Sequence, residues 1–183
     1  KSLKKILKIN DALILDDAVD FDQFNKEKKF KKYRFTCLYI GSFYKGKGID
    51  LIYDLAKYCP KIQFHIYGDR KFLPKNLDLT QVKNMKLFNY INYSKIPSLL
   101  NKYEVALMPL QKKNFGRGNI DISDTTSPMK MFDYLASGKI LLASKLNVYN
   151  HILINGNNCF LVDPENLMKW KNPTNLKSLI NML

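Results

Sequence analysis

The stretch from Ser127 to Ser144 most constrains how this chain can fold. Ser127 offers a short polar N-cap, Pro128 suits a first helical position, and Gly138 stands where a helix must end. Between them Met129-Lys-Met-Phe-Asp-Tyr-Leu-Ala136 carries no breaker, so a helix is predicted. Met131 and Leu135, with Phe132 offset, form the face that meets a sheet. Ile140-Leu-Leu-Ala-Ser144 follows at once as a short apolar run, the pattern of a buried strand. The start of such a helix suits an anion. Its first N–H groups have no partner inside the helix, and the dipole favours negative charge there.

The same alternation continues along the chain. Residues 1–10 read as a basic helical stub and Ala12 to Leu15 as a short strand. Phe35–Ile40, Ile62–Tyr67, Met85–Phe88, Glu104–Met108 and Phe160–Val162 read as further strands. Helices are predicted over Ile49–Tyr58, Lys95–Lys102, Val148–Leu153 and Pro173–Leu183. Strands separated by helices predict an α/β fold, a Rossmann-like doubly wound parallel sheet with helices on both faces. Such sheets bind ligands at the carboxyl ends of their strands, near a switch in strand order. The Gly41–Gly48 loop, the Gly68–Arg70 turn, the Tyr90–Asn92 loop and the Thr125–Lys130 segment fall at that edge. Gln111 to Thr126 is polar and aperiodic, and a loop of that length is either functional or disordered.

The chain has 183 residues, enough for about one domain with a sizeable core. No apolar run is long enough to span a membrane, no secretory leader is visible, and the absence of an initial Met suggests a piece of a longer protein. Cys37, Cys59 and Cys159 have no metal or redox spacing and read as reduced thiols in the cytoplasm. The net charge of +14 raises a nucleic-acid-binding alternative. Only three of the 30 basic residues are Arg, the residue suited to bidentate base and phosphate recognition, and no nucleic-acid motif is present, so no nucleic-acid partner is expected. The densest basic run, Lys26 to Arg34, reads as a solvated loop or as a contact with an anionic membrane surface.

Several segments together carry a family resemblance. SPMKMFDYLASGK (residues 127–139), YIGSFYKGKGID (39–50), Ala18-Val-Asp20 with Phe24, and NGNNCFLVD (155–163) occur in order. They resemble the nucleotide-sugar-binding C-terminal half of retaining two-domain glycosyltransferases (GT-B type, group 1, family 4-like). The resemblance covers about residues 12 to 165. It implies that residues 1–20 are an interdomain segment and the end of a preceding domain, and that 21–183 bind the donor. It implies transfer of a sugar, with retention, from a nucleoside diphosphate sugar to a polysaccharide or glycolipid acceptor. UDP is favoured over GDP as the carrier, no cofactor or metal is needed, and the acceptor domain is missing.

The resemblance also assigns residues. Gly41, Ser42, Lys47, Thr126, Ser127, Met129 and Lys130 would hold the diphosphate. Asp133 would accept hydrogen bonds from the ribose, Tyr90 and Ile91 would lie by the base, and Thr125 by the sugar. The residue chemistry agrees: glycines let backbone approach a phosphate, Lys47 adds a charge on an exposed loop, and a carboxylate accepts two hydroxyl protons. Lys130 and Asp133, three apart, can share a helix face. Ser42 and Thr125 stand where the family usually carries charge, and Lys45 or Arg70 is a candidate substitute for the missing cation. A binding module without transfer activity therefore stays open beside the enzyme. Asp16, Asp17, Asp20, Asp121 and Asp124 lack metal-site spacing, and His65 and His151 read as structural.

Overall fold

The computed structural model describes residue 8 and residues 15–24 and 36–171. The expected basic stub, most of the Ala12–Leu15 strand, the Lys26–Arg34 run and the last helix lie outside the described residues.

Six strands form one parallel sheet: β1 (Thr36–Ile40), β2 (Gln63–Tyr67), β3 (Met85–Phe88), β4 (Val105–Met108), β5 (Ile140–Ser144) and β6 (Phe160–Val162). Their order is β3-β2-β1-β4-β5-β6, so the chain reverses direction across the sheet between β1 and β4. The helices are α1 (Phe21–Phe24), α2 (Ile49–Tyr58), α3 (Ile96–Leu100), α4 (Met129–Ala136) and α5 (Leu167–Lys171). The central strands β1 and β4, and β5 beside them, are largely apolar on both faces because both faces are covered. Cys37 and Tyr39 of β1 enter a core with Ile49, Ile52 and Leu55 of α2 and Trp170 of α5. The alternate residues Leu38 and Ile40 enter the other core, with Phe24 of α1, Leu99 and Leu100 of α3, and Met131 and Tyr134 of α4. Each fully buried Leu or Ile contributes about 1.5–3 kcal/mol.

Local chemistry sets the two helices that matter for the site. α2 begins at Gly48, whose φ of 84° is left-handed, and a Cβ there would collide with the carbonyl of Pro109. Asp50 in its first turn and Lys57 in its last complement the dipole. α4 ends as expected: Gly138 is left-handed, its N–H bonds the Leu135 carbonyl, and the Lys139 N–H bonds the Tyr134 carbonyl.

The start of α4 corrects the sequence reading. The helix begins at Met129, and Pro128 occupies the cap position with no side chain capping the first turn. Ser127 instead accepts a hydrogen bond on Oγ from the Asp17 N–H at 3.2 Å. The inward face is also shifted: Met131 and Tyr134 are fully buried, while Leu135 and Phe132 are only half-buried. The predicted Val148–Leu153 helix is a 3-10 turn over Asn147–Tyr149. The predicted Lys95–Lys102 helix is shorter and follows a 3-10 turn at Tyr93–Lys95.

The Gln111–Thr126 loop is ordered by its neighbours. The Gln111 N–H bonds the Gly46 carbonyl at 2.9 Å and the Phe115 N–H bonds the Lys45 carbonyl at 3.0 Å, so the loops after β4 and β1 lie against each other. Asn114 is fully buried between them. No helix among the described residues is long and apolar enough to cross a membrane.

Candidate functional site

The sheet opens where the strand order reverses. β1 and β4 pair only at Cys37↔Val105 and Leu38↔Ala106, whereas β1 stays paired to β2 as far as Ile40↔Tyr67. The Ile40 N–H, left without a strand partner on the β4 side, donates to Tyr134 Oη at 3.0 Å. A cleft of about 450 Å³ lies at this splay. Gly41, Ser42, Tyr90, Ile91, Met129, Lys130 and Asp133 all line it, seven of the sequence-predicted site residues. They come from three separate segments, which is why no local pattern joins them.

Gly41 follows β1 directly and lets the cleft floor form. A Cβ there would strike Nζ of Lys130 and come within 3.1 Å of the Tyr39 hydroxyl. Lys130 folds back over the Tyr39 ring, Nζ 4.2 Å from its centroid. Burial, and then the charge of Lys47, lower its pKa to about 7, against the opposing pull of Asp133. Asp133 is 4% exposed. Burial raises its pKa to about 6, opposed by a hydrogen bond from Tyr93 Oη to Oδ1 at 3.0 Å and by Lys130. One turn of helix thus carries a half-buried lysine and a buried carboxylate.

Lys47 corrects the expectation of an exposed loop lysine. Its side chain is buried and its Nζ donates to Asn114 Oδ1 at 3.1 Å. Burial lowers its pKa. It does not line the cleft, yet it lies close enough to Lys130 to depress that group electrostatically. The loop contact explains this placement: the segment that supplies Asn114 is the one hydrogen-bonded to Lys45 and Gly46.

Thr125, Thr126 and Ser127 do not line the cleft either; Thr125 is exposed and the other two half-buried. The candidate substitute cations are elsewhere. Arg70 bonds the Leu87 carbonyl, and Lys45 sits over the Phe115 ring at 5.3 Å. Among the acidic residues, Asp16 pairs with His151 at 2.8 Å, Asp20 accepts from Asp22 N and Gln23 Nε2 at the start of α1, and Asp121 accepts from Ser123. Among the described residues no three His, Cys, Asp or Glu side chains converge. None of the three cysteines forms a disulfide.

Two participants escaped the sequence reading. Tyr93 lies on the 3-10 turn that Asn92 caps through its side chain, three residues after Tyr90, and that spacing was its one signal. Asn114 stands in a polar loop with nothing local to mark it. The far wall of the cleft is aromatic: Tyr44, Tyr67 and Phe72 line it, with Phe72 edge-on to Tyr44 at 4.7 Å and Tyr67 stacked on Phe88 at 4.5 Å. Such a surface suits a planar ligand group.

Strand order and cleft together define a Rossmann-like domain with an open cleft at its switch point, where such folds bind ligands. Within that class the chain belongs to the glycosyl transferases group 1 family, whose profile matches residues 20–175. An uncharacterized glycosyltransferase of Methanocaldococcus jannaschii is 26% identical over 177 residues, 93% of this chain and 43% of its own length. An uncharacterized 41.2 kDa protein in the cps region of Klebsiella pneumoniae is 25% identical over 119 residues, 63% of this chain and 33% of its own. The crystal structure of Anabaena HepE in complex with UDP superposes with a TM-score of 0.69 at 17% identity, covering 90% of this chain and 46% of that one. The chain spans less than half the length of each.

Proposed function

We propose that this chain is the donor-binding C-terminal half of a retaining, family 4-like glycosyltransferase. It takes a nucleoside diphosphate sugar, UDP being favoured, and the acceptor is a polysaccharide or glycolipid held by a second domain. The reading rests on one observation above others: a single cleft at the β1–β4 splay brings together Gly41, Lys130 and Asp133, with Lys47 behind Lys130. The UDP in the HepE crystal and the cps-region relative support the donor and acceptor classes. The enzyme would work in the cytoplasm, where the Lys26–Arg34 run would meet the anionic inner face of the membrane.

In this reading the diphosphate is the leaving group. As the glycosidic carbon–oxygen bond breaks, negative charge grows on the departing phosphate oxygen. Lys130 and the uncapped N–H groups of Met129 and Lys130 at the start of α4 would stabilise it, with Lys47 adding charge from behind. The preformed geometry needs no reorganisation at that moment. Asp133 would hold the ribose and the aromatic wall the base.

The degenerate-module reading has one observation in its favour. Ser42 supplies no cation to the cleft, and neither Lys45 nor Arg70 replaces it. A thermal-shift panel of UDP, GDP and ADP separates the two. A ligand at 100 times its Kd adds about 2.7 kcal/mol, roughly 5–10 °C for a domain of this size. Stabilisation by UDP above the others is expected; no shift with any of the three would overturn the donor reading.

A further inference from the structure

We propose that Tyr93 is a positioning residue for Asp133, and that the segment preceding the sheet, through Phe24 of α1, braces Tyr93 in that role. The inference rests on the donor reading, in which Asp133 accepts from the ribose.

The geometry carries it. Tyr93 Oη donates to Oδ1 of Asp133 at 3.0 Å, and among the described residues no hydrogen bond reaches Oδ2. The carboxylate is thereby fixed in one rotamer, with Oδ2 left as acceptor for a ligand hydroxyl. Asp133 is 4% exposed, so it has little water to keep it ionised. Each hydrogen bond to the charged form therefore matters. Tyr93 is itself held on two sides. The turn that carries it is capped by Asn92, whose Oδ1 accepts from the Ser94 N–H at 3.1 Å. Its ring packs against Phe24, centroids 6.2 Å apart and tilted by 58°. Phe24 is buried, and α1 packs on both α3 and α4. A residue from before the first strand thus fixes the phenol that fixes the carboxylate.

The titratable groups around Asp133 are Tyr93, Lys130 and Tyr134, with Lys47 beyond Lys130 and Asp20 beyond Tyr93. Desolvation and then Asp133 push the Tyr93 phenol up to about 12, so it stays a donor throughout the working pH range. Of these groups, Tyr93 alone is a neutral donor bonded to the carboxylate.

The test uses the whole chain, with UDP and inorganic pyrophosphate as probes. In Tyr93→Phe, which keeps the ring against Phe24, UDP affinity should fall about tenfold, the usual size for a hydrogen bond to a charged group. Pyrophosphate, which has no ribose, should change less than about threefold, within the same hydrogen-bond scale. Independently of any ligand, the carboxyl titration of Asp133 by NMR should move to higher pH in the variant. Phe24→Leu, which loosens the brace, should move both readouts the same way by less. Equal losses for UDP and pyrophosphate, or an unmoved Asp133 titration, overturn the positioning role. If wild-type protein binds pyrophosphate but not UDP, the donor reading fails and the NMR shift alone decides whether Tyr93 sets Asp133.

Discussion

Lys130 and Asp133 sit three residues apart in α4, and burial moves both toward neutrality. For Lys130, lowered to about 7, the unfolded chain holds a proton that the folded one releases between there and the ordinary value of 10.5. Stability therefore falls as pH drops from alkaline toward 7. Asp133, raised to about 6, has the opposite placement: the folded state holds the extra proton, and stability falls as pH rises from the ordinary 3.8 to about 6. Near neutral pH both groups destabilise the unliganded domain, and an anionic ligand over Lys130 would relieve the share that Lys130 contributes. Lys130→Met keeps the stem over Tyr39 and removes the charge. It should raise Tm by a few degrees at pH 7.5, flatten the rise of stability between pH 7 and 9, and weaken UDP binding. UDP affinity of the wild type should also decline below about 6, as Asp133 protonates, and above about 7, as Lys130 loses its charge. Scanning calorimetry and UDP titration across pH check this; a lower Tm with an unchanged pH slope would show that the Lys130 charge is not under strain.

Among the elements, the contact between the loops after β1 and β4 decides where Lys47 goes. Gly46 has φ of 77°, and a Cβ there would collide with the Lys113 carbonyl and the Cα of Asn114. Gly156 is a natural control, with φ of 78° and nothing within 4 Å of its added Cβ. Gly156→Ala should cost only the left-handed backbone preference, about 1 kcal/mol. Gly46→Ala adds a backbone clash and should cost at least 2 kcal/mol more than Gly156→Ala, of the size expected where strain is forced on a packed site. It should also weaken UDP binding, because Lys47 and Asn114 sit on the two loops it separates. Paired urea melts of the two variants make the comparison, and equal costs would mean that the loop contact is loose. The sequence made the three glycines of this loop legible as a ligand loop. It did not make Asn114 legible, because that residue acquires its role only by lying opposite Lys47.

For the whole molecule, the 15–24 segment is tied to the sheet domain at three points. Asp16 pairs with His151 at 2.8 Å, Asp17 N–H reaches Ser127 Oγ at 3.2 Å, and Phe24 packs on Tyr93. All three fall close to the start of α4 or to the cleft rim. In the proposed reading, a partner domain joined through that segment would lie beside the cleft. The chain alone should then bind UDP yet transfer no sugar, because in that reading the acceptor would be held by the second domain. Incubation with UDP-sugars and glycolipid or polysaccharide acceptors, read by UDP release, tests this; turnover by the 183-residue chain would overturn the division of labour.

The sequence by itself determined the alternation of strands and helices, the start of α2 at Gly48, and the stop of α4 at Gly138. These depend on backbone preference and on the period of apolar residues, both local in the chain. It also pointed to Lys130 and Asp133, which the family resemblance marks and which helical spacing lets share one face. The tertiary structure decided the rest. Ser127 reads as a cap, yet its hydroxyl is taken by a backbone N–H from residue 17. Lys47 reads as exposed, yet a loop from β4 buries it. Tyr93 gains its carboxylate partner only because the crossovers on that face of the sheet bring β3's following turn beside α4. Contacts between residues 40 or more apart depend on strand order and packing, and no local preference encodes them.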